Sequence, residues 1–362
     1  MEQKSYTKKE LRVLMEATGY PMASIEKTMR LLELLRAINE DAFLSENLTL
    51  KGGTAINIIH YSEIPRLSVD LDFDLAKNTP KEEMLAVKDV VSERIRGLSA
   101  SLGYFLSDPR PNYAIHQTEL YYQSATGNRD KIKLDINCLS RCHIYDTIVR
   151  EAFNPFIPEE KLSVRILSEY ELFGAKLKAL LERNTPRDIF DAYTMERKGL
   201  YGDAESTSLI RKCIAYYLSL SRGVDIPQAL EAIGRRPTQD FKKQLFPMLK
   251  TGYGFVDRDL MTSEAVKCVS RFIDFTENEH LYLEEARKGY YRPDLLFENE
   301  SAVRIAENPA AKFYILNRAE LYFFFTYPQA QLFDFCTSLS CLESNSEMHT
   351  FAVAYAERPW RL

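Results

Sequence analysis

Between residues 66 and 75 the chain alternates polar and apolar positions without a break. Arg66, Ser68, Asp70, Asp72 and Asp74 take the even positions, and Leu67, Val69, Leu71, Phe73 and Leu75 the odd ones. A period of two predicts a strand with one apolar row and three carboxylates on the opposite face. Neighbouring aspartates on such a strand lie roughly 6.5–7 Å apart. They repel at that distance and Asp is a poor strand former, so the row calls for a counter-charge. The same period returns over residues 104–139, with a turn predicted at Thr126-Gly127-Asn128. In the last of these strands Ile132, Leu134, Ile136 and Cys138 alternate with Lys131, Lys133, Asp135 and Asn137. That places a fourth carboxylate on a polar strand face.

Elsewhere the period is helical. Residues 22–41 carry Ile25, Met29, Leu32, Leu35 and Ile38 at helical spacing, and residues 81–102 form a charged amphipathic segment. A short apolar strand runs into Gly52-Gly53, with a helix predicted from Thr54. Residues 168–184 open with Ser168 and Glu171 in capping-box spacing. The next helix has Thr185 as N-cap, Pro186 first, Asp188 third and Gly199 as its stop. Further amphipathic segments occupy 205–222, 263–287 and 309–342. The change of period, with Asn154-Pro155 and Pro158 between, divides the chain into an α/β (α+β) domain with a mixed sheet over 1–165 and an all-helical domain over 166–362.

Composition narrows the function classes. The net charge of −5, from 47 basic and 52 acidic residues, makes any basic surface local. Six cysteines without a CxxC pair argue against a disulfide framework or a zinc site. The five histidines form no HxH or HxxxH cluster, and there is no GxxxxGK[ST] loop. Residues 1–20 lack an apolar signal-peptide core, and the most aromatic run, LYFFFTY at 321–327, is too short to span a bilayer. The expectation is a reduced cytoplasmic protein with no membrane association.

The candidate chemistry centres on Asp70 and Asp72. Carboxylates at every second position gain most from a divalent cation, and magnesium prefers carboxylate oxygens while keeping positions for water and substrate phosphate. Asp135 from another strand adds the third ligand that a two-metal phosphoryl-transfer site needs. Asp74 lies one position beyond the pair that suffices. Lys51-Gly52-Gly53-Thr54 precedes a helix, and its backbone N–H groups can face an anion. Lys176 and Arg183 share a helix face with small Ala179 between them, within reach of a triphosphate. Arg187 and Asp191 lie one turn apart on the next helix. Asp188 has a capping duty, whereas Asp191 is available to orient Lys176 or accept a proton.

The stretch KGGTAINIIHYSEIPRLSVDLDF resembles the first motif of DNA polymerase β-type nucleotidyltransferases. More narrowly, GGTA followed by RLSVDLDF is similar to the AbiEii/AbiGii toxins of type IV toxin–antitoxin and phage-abortive-infection systems. LDIN at 134–137 matches that family's third-carboxylate strand, and GAKLKALLERNTPRDIFDAY its Lys…Arg-Asp-x-x-Asp helical motif. HLYLEEARKGYYRPDLLF is similar to its late helical region, so the likeness covers roughly residues 20–300. The resemblance implies a polymerase β-like nucleotidyltransferase domain followed by a helical one. It implies Asp70, Asp72 and Asp135 as ligands of Mg2+ in two ions, with Gly52, Gly53, Thr54, Lys176 and Arg187 on the NTP. Asp191 would complete the catalytic set with Lys176.

The resulting expectation is nucleotidyl transfer from an NTP to an RNA 3′ end, that of tRNA, blocking translation and growth. The expected partner is a cognate winged-helix, AbiEi-like antitoxin. Rival readings are nucleotidylation of a protein or small molecule by the same site, a DxD nucleotide-sugar glycosyltransferase, and a non-catalytic interaction module. Lys176, Lys178, Arg183, Arg187, Arg197 and Lys198 are the local basic surface available for RNA.

Overall fold

Helix α1 (Lys8–Thr18) opens on a Thr7/Glu10 capping box and stops at Gly19, where φ is +80°. Helix α2 (Met22–Glu40) buries Ile25, Leu32, Leu35 and Ile38, the face its spacing predicts. It ends at Asp41 because that side chain accepts from the Leu44 N–H and caps α3 (Ala42–Asn47). The structure, a computed structural model, describes residues 5–318 apart from 62, 108–111, 222, 252–256 and 317. These belong to one compact unit, Met1–Arg318.

The strands are β1 (Leu48–Lys51), β2 (Asp70–Leu75), β3 (Phe105–Leu106), β4 (Ile115–Gln123), β5 (Arg129–Asn137), β6 (Ile148–Ala152) and β7 (Leu162–Ile166). They form a seven-stranded sheet in the order β3-β4-β5-β2-β1-β7-β6. Pairing is mixed: β2 runs parallel to β5 and antiparallel to β1, and β1 runs parallel to β7. Helix α4 (Gly52–Ile59) follows β1 and packs on β1 and β2, α2 packs on β2, β5 and β7, and α5 (Lys81–Ser101) covers β3 and β4. The apolar rows Leu71, Phe73, Leu75 and Leu134, Ile136 are fully buried. Each such side chain contributes about 1.5–3 kcal/mol relative to exposure, so the rows fix the register that turns the aspartates to the other face.

After β7 the described chain is helical: α6 (Glu169–Arg183), α7 (Pro186–Arg197), α8 (Ala204–Ser219), α9 (Ile226–Arg235), α10 (Thr238–Gln244), α11 (Arg258–Phe272), α12 (Glu277–Arg287) and α13 (Asn299–Ala306). The mixed α/β class with a helical C-terminal region is the expected one. Four local readings differ. Strand β2 begins at Asp70, not at residue 66, because the preceding residues bond elsewhere. The Leu67 N–H donates to the Met248 carbonyl at 2.9 Å, and Thr28 Oγ1 donates to the Ser68 carbonyl at 3.1 Å. Helix α4 begins at Gly52, since a positive φ of +72° there lets the helix start directly from β1. The segment 263–287 is two helices, because Thr276 and Glu279 form a capping box that opens α12. Strand β7 lies in the span read as a boundary, and β6 just before it in a stretch for which no element is expected. Of the segment 309–342, residues 319–342 lie outside the described residues. Among the described residues no helix is long and apolar enough to cross a membrane.

Candidate active site

Register places the carboxylates. Asp72 sits opposite Asp135 across the parallel β2–β5 pair and opposite Lys51 across the antiparallel β1–β2 pair. Asp70, two residues earlier, faces the same way and pairs in register with Lys133. Burial pushes the Asp72 carboxyl above its ordinary value, and repulsion from Asp70 and Asp135 adds to the effect while Lys51 opposes it. Asp135 accepts from the Gln117 amide at 2.9 Å. Arg187 of α7 donates to Asp70 Oδ2 at 2.9 Å. A cavity of about 340 Å3 adjoins the pair and is lined by Lys51, Asp72, Gln117, Asp135 and Asn137 among others.

Asp74 separates from this group. Only 2 % exposed, it receives Lys51 Nζ at 2.5 Å, and burial raises its carboxyl above the ordinary range. Its charge is met by a lysine of the same sheet, whereas the ion-pair partner of Asp70 among the described residues is Arg187.

The turn from β1 into α4 approaches the acids closely. A β-carbon on Gly52 would lie 2.6 Å from Asp72 Oδ2, so both the left-handed φ and the contact require glycine. A β-carbon on Gly53 would collide with the Arg66 guanidinium. Lys51, the N-cap of α4, makes no side-chain cap bond, which leaves the first-turn N–H groups available to an anion. The Thr54 hydroxyl is engaged: it donates to the Asp70 carbonyl at 2.5 Å and lies 2.6 Å from Ser68 Oγ. Thr54 can therefore meet a phosphate through its backbone, while its side chain braces the start of β2.

Helices α6 and α7 bring a buried ionic network to the same place. Lys176 Nζ lies 2.7 Å from Asp188 Oδ1 and 2.5 Å from Asp191 Oδ2. Arg66 Nε and Nη2 donate to the two oxygens of Asp191, each at 2.7 Å. Arg183 donates to Asp188 at 2.7 and 3.0 Å. Arg66, Lys176, Asp188 and Asp191 are all buried. Burial works against the ionised Asp191, but Arg66 and Lys176 outweigh it and hold the carboxyl below its ordinary value. Lys176 and Arg183 do the same for Asp188.

Asp188 is therefore more than a helix cap: Thr185 Oγ1 donates to its carboxylate at 2.6 Å, and the same group binds two cations from α6. Arg187 pairs with Asp70, not with Asp191 one turn along. Arg66 and Gln117 were missing from the expected set. For Arg66 a signal existed, since the alternation already put a cation on the aspartate face. Gln117 gave none beyond its place on a period-two strand.

The donor set suits a hard divalent ion: carboxylate oxygens from adjacent strands, one of them raised by burial and by its acidic neighbours despite Lys51. As they stand, Asp70 is turned to Arg187 and Asp135 to Gln117, and among the described residues no three acidic, His or Cys groups converge at metal-binding distance. Side-chain rotation of Asp70 would exchange the Arg187 contact for an ion.

Known proteins extend the reading. The family described as Nucleotidyl transferase AbiEii toxin, Type IV TA system, matches residues 33–266. The fold is similar to that of MenT4, a nucleotidyltransferase toxin from Mycobacterium tuberculosis H37Rv, with a TM-score of 0.58 at 14% identity, covering 83% of this chain and 98% of that one. Among curated proteins no sequence matches the chain. The family match spans the GG turn, the Asp70/Asp72 strand, Asp135 and the Lys176–Asp191 helices together, and the chain belongs to the AbiEii family of nucleotidyltransferase toxins of type IV toxin–antitoxin systems.

Proposed function

We propose that this toxin transfers a nucleotide from an NTP to the 3′ hydroxyl of an RNA, that of tRNA, and thereby arrests translation and growth. The observation that carries the reading is the register of Asp72 against Asp135, with Asp70 on the same face and the uncapped start of α4 beside them. Asp70, Asp72 and Asp135 would hold Mg2+, as two ions, which supply positive charge to the attacking oxygen and the leaving pyrophosphate. The backbone N–H groups of Gly52, Gly53 and Thr54 receive the triphosphate, and Arg187 swings from Asp70 to the phosphates once that carboxylate is otherwise engaged. Lys176 adds positive charge behind them, and Asp191 fixes both Lys176 and Arg66. With its carboxyl held ionised between two cations, Asp191 is a positioning residue and a poor proton acceptor. The hydroxyl attacks the α-phosphorus in line; the new O–P bond forms as the bond to pyrophosphate breaks, and the hydroxyl proton passes to water.

On this reading the chain acts in the cytoplasm, is neutralised by a winged-helix antitoxin, and serves abortive phage defence. Incubation with each labelled NTP, Mg2+, bulk tRNA and total protein tests it. Label on RNA with wild type and none with Asp72→Ala is the expected result. Label on no RNA with any of the four nucleotides removes the RNA acceptor, and label on protein instead replaces it.

A further inference from the structure

Strands β4 and β5 outrun β2. The β2–β5 register begins at Asp70 opposite Lys133, so Arg129–Ile132 have no β2 partner and pair with β4 alone. This projecting ribbon is braced on one face by α2: Lys27 reaches Asp130, the Glu26 carboxylate accepts from the Ala125 N–H at 2.9 Å, and Arg30 stacks on Tyr122 with 4.4 Å to the ring centre.

Its other face is continuous with the aspartates. Paired residues share a face, so Gln117 and Asp135, Glu119 and Lys133, and Tyr121 and Lys131 form successive rows, with Phe105 of β3 beside Tyr121. Phe105 is 73 % exposed on an edge strand of two residues, where a large apolar side chain buries little and invites aggregation. The Arg129 guanidinium lies over the Tyr121 ring, 4.2 Å from its centre. Arg129 and Lys133 are exposed, and Lys131 is part-exposed. The one acid of these rows beyond Asp135, Glu119, is met by Lys131 at 2.7 Å and by the Tyr121 hydroxyl at 2.6 Å. A chain with net charge −5 thus carries three cations against the one paired acid Glu119, with Tyr121 and the neighbouring Phe105 of β3, on a braced face leading to Asp135.

Cations tracking a backbone beside exposed rings and guanidinium planes are what single-stranded nucleic acid binds. From Asp135 to Arg129 the ribbon extends about 20 Å along the strand. We propose that this face is the platform for the 3′-terminal nucleotides of the RNA acceptor, with bases stacked on Phe105 and the Tyr121–Arg129 pair and phosphates on Lys131 and Lys133, so that the terminal hydroxyl arrives at Asp135. The assignment rests on the RNA reading above and locates the basic surface on the sheet as well as on α6 and α7.

Phe105→Ala and Lys133→Glu test it, both at exposed positions where the fold is retained, checked by an unchanged thermal midpoint. In transfer assays the KM for RNA is expected to rise about tenfold for Phe105→Ala, within the ~5–150-fold range of a lost stacked base, and to rise and become less salt-dependent for Lys133→Glu, with the KM for NTP unchanged. Unchanged KM for RNA in both variants, while wild type labels RNA, overturns the platform and leaves the acceptor reading intact. Should wild type label no RNA, the acceptor reading falls and the platform, as the seat of an acceptor 3′ end, falls with it. Where wild type does label RNA, weaker binding of a labelled single-stranded oligoribonucleotide, read by fluorescence anisotropy in the Asp72→Ala background on adding Phe105→Ala, sustains the platform, and equal binding overturns it.

Discussion

Gly52→Ala separates backbone strain from damage to the site. Gly52 has φ +72°, and an alanine in that left-handed region costs about 1–2 kcal/mol. Its new methyl would lie 2.6 Å from Asp72 Oδ2 and 3.2 Å from Asp72 Cβ. The carboxylate can rotate away, so the added folding cost is small, but Asp72 then leaves its place opposite Asp135. A displacement near 1 Å in a catalytic constellation costs on the order of 10²-fold in rate. Gly199→Ala is the control: φ is +63° and nothing lies within 4 Å of the added β-carbon, at the far end of α7 from Arg187. Both variants should lose about 1–2 kcal/mol by denaturant unfolding, well inside an ordinary stability of about 5–15 kcal/mol. Only Gly52→Ala should lose nucleotidyl transfer, by about 10²-fold or more in kcat. Retained transfer in Gly52→Ala, or equal loss in Gly199→Ala, refutes the placement of Asp72 at the reaction.

Three further outcomes follow from the ionic pairs. Asp191→Asn strips the bidentate partner from buried Arg66 and should cost about 3–5 kcal/mol in chemical unfolding, most of it recovered by adding Arg66→Met; recovery of stability without recovery of transfer is the expected split. Lys51→Ala leaves the buried Asp74 charge without its lysine and should lower the thermal midpoint, with Asp74→Asn restoring it; Asp74→Asn alone should keep transfer within a few-fold, and its complete loss would place Asp74 in the site. The folded Asp188 carboxyl is held below the unfolded value near 3.9, so its stabilisation is complete above about pH 5 and is lost as pH falls through 4 and below. Wild type should therefore lose thermal midpoint more steeply than Asp188→Asn between pH 5 and 3, and parallel curves would contradict the pairing.

What the sequence displayed was local. The alternation at 70–75 and 131–137 fixed which residues share a face, because burying Leu71, Phe73, Leu134 and Ile136 leaves the aspartates one orientation. Caps at Thr185 and Ser168 marked the starts of α7 and α6 for the same reason: a side-chain oxygen three residues from the N–H it satisfies is visible in any reading of the chain. Strand β6 gives little signal since an edge strand with Val149, Arg150 and Glu151 exposed has little alternation to show, and β7 alternates Val164 and Ile166 with Ser163 and Arg165 over only five residues. The start of β2 was misplaced because the bonds that end the ladder at Asp70 come from Met248 and Thr28, far away in sequence.

The same distinction explains the site. Asp70, Asp72 and Asp135 are legible because a strand forces like charges together, and that conflict has to be resolved by something outside the strand. The pairings leave no local trace, since Arg187 reaches Asp70 across 117 positions and Arg66, though visible on the aspartate face of the alternation, reaches Asp191 across 125. Each cation could equally have been a solvated surface charge. Their pairing also divides the row: Asp74 is matched by a lysine of its own sheet, while Asp70 borrows an arginine from α7. On the proposed reading Asp70 exchanges that arginine for a metal while the more deeply buried Asp74 keeps its lysine, which would distinguish two residues the alternation makes identical.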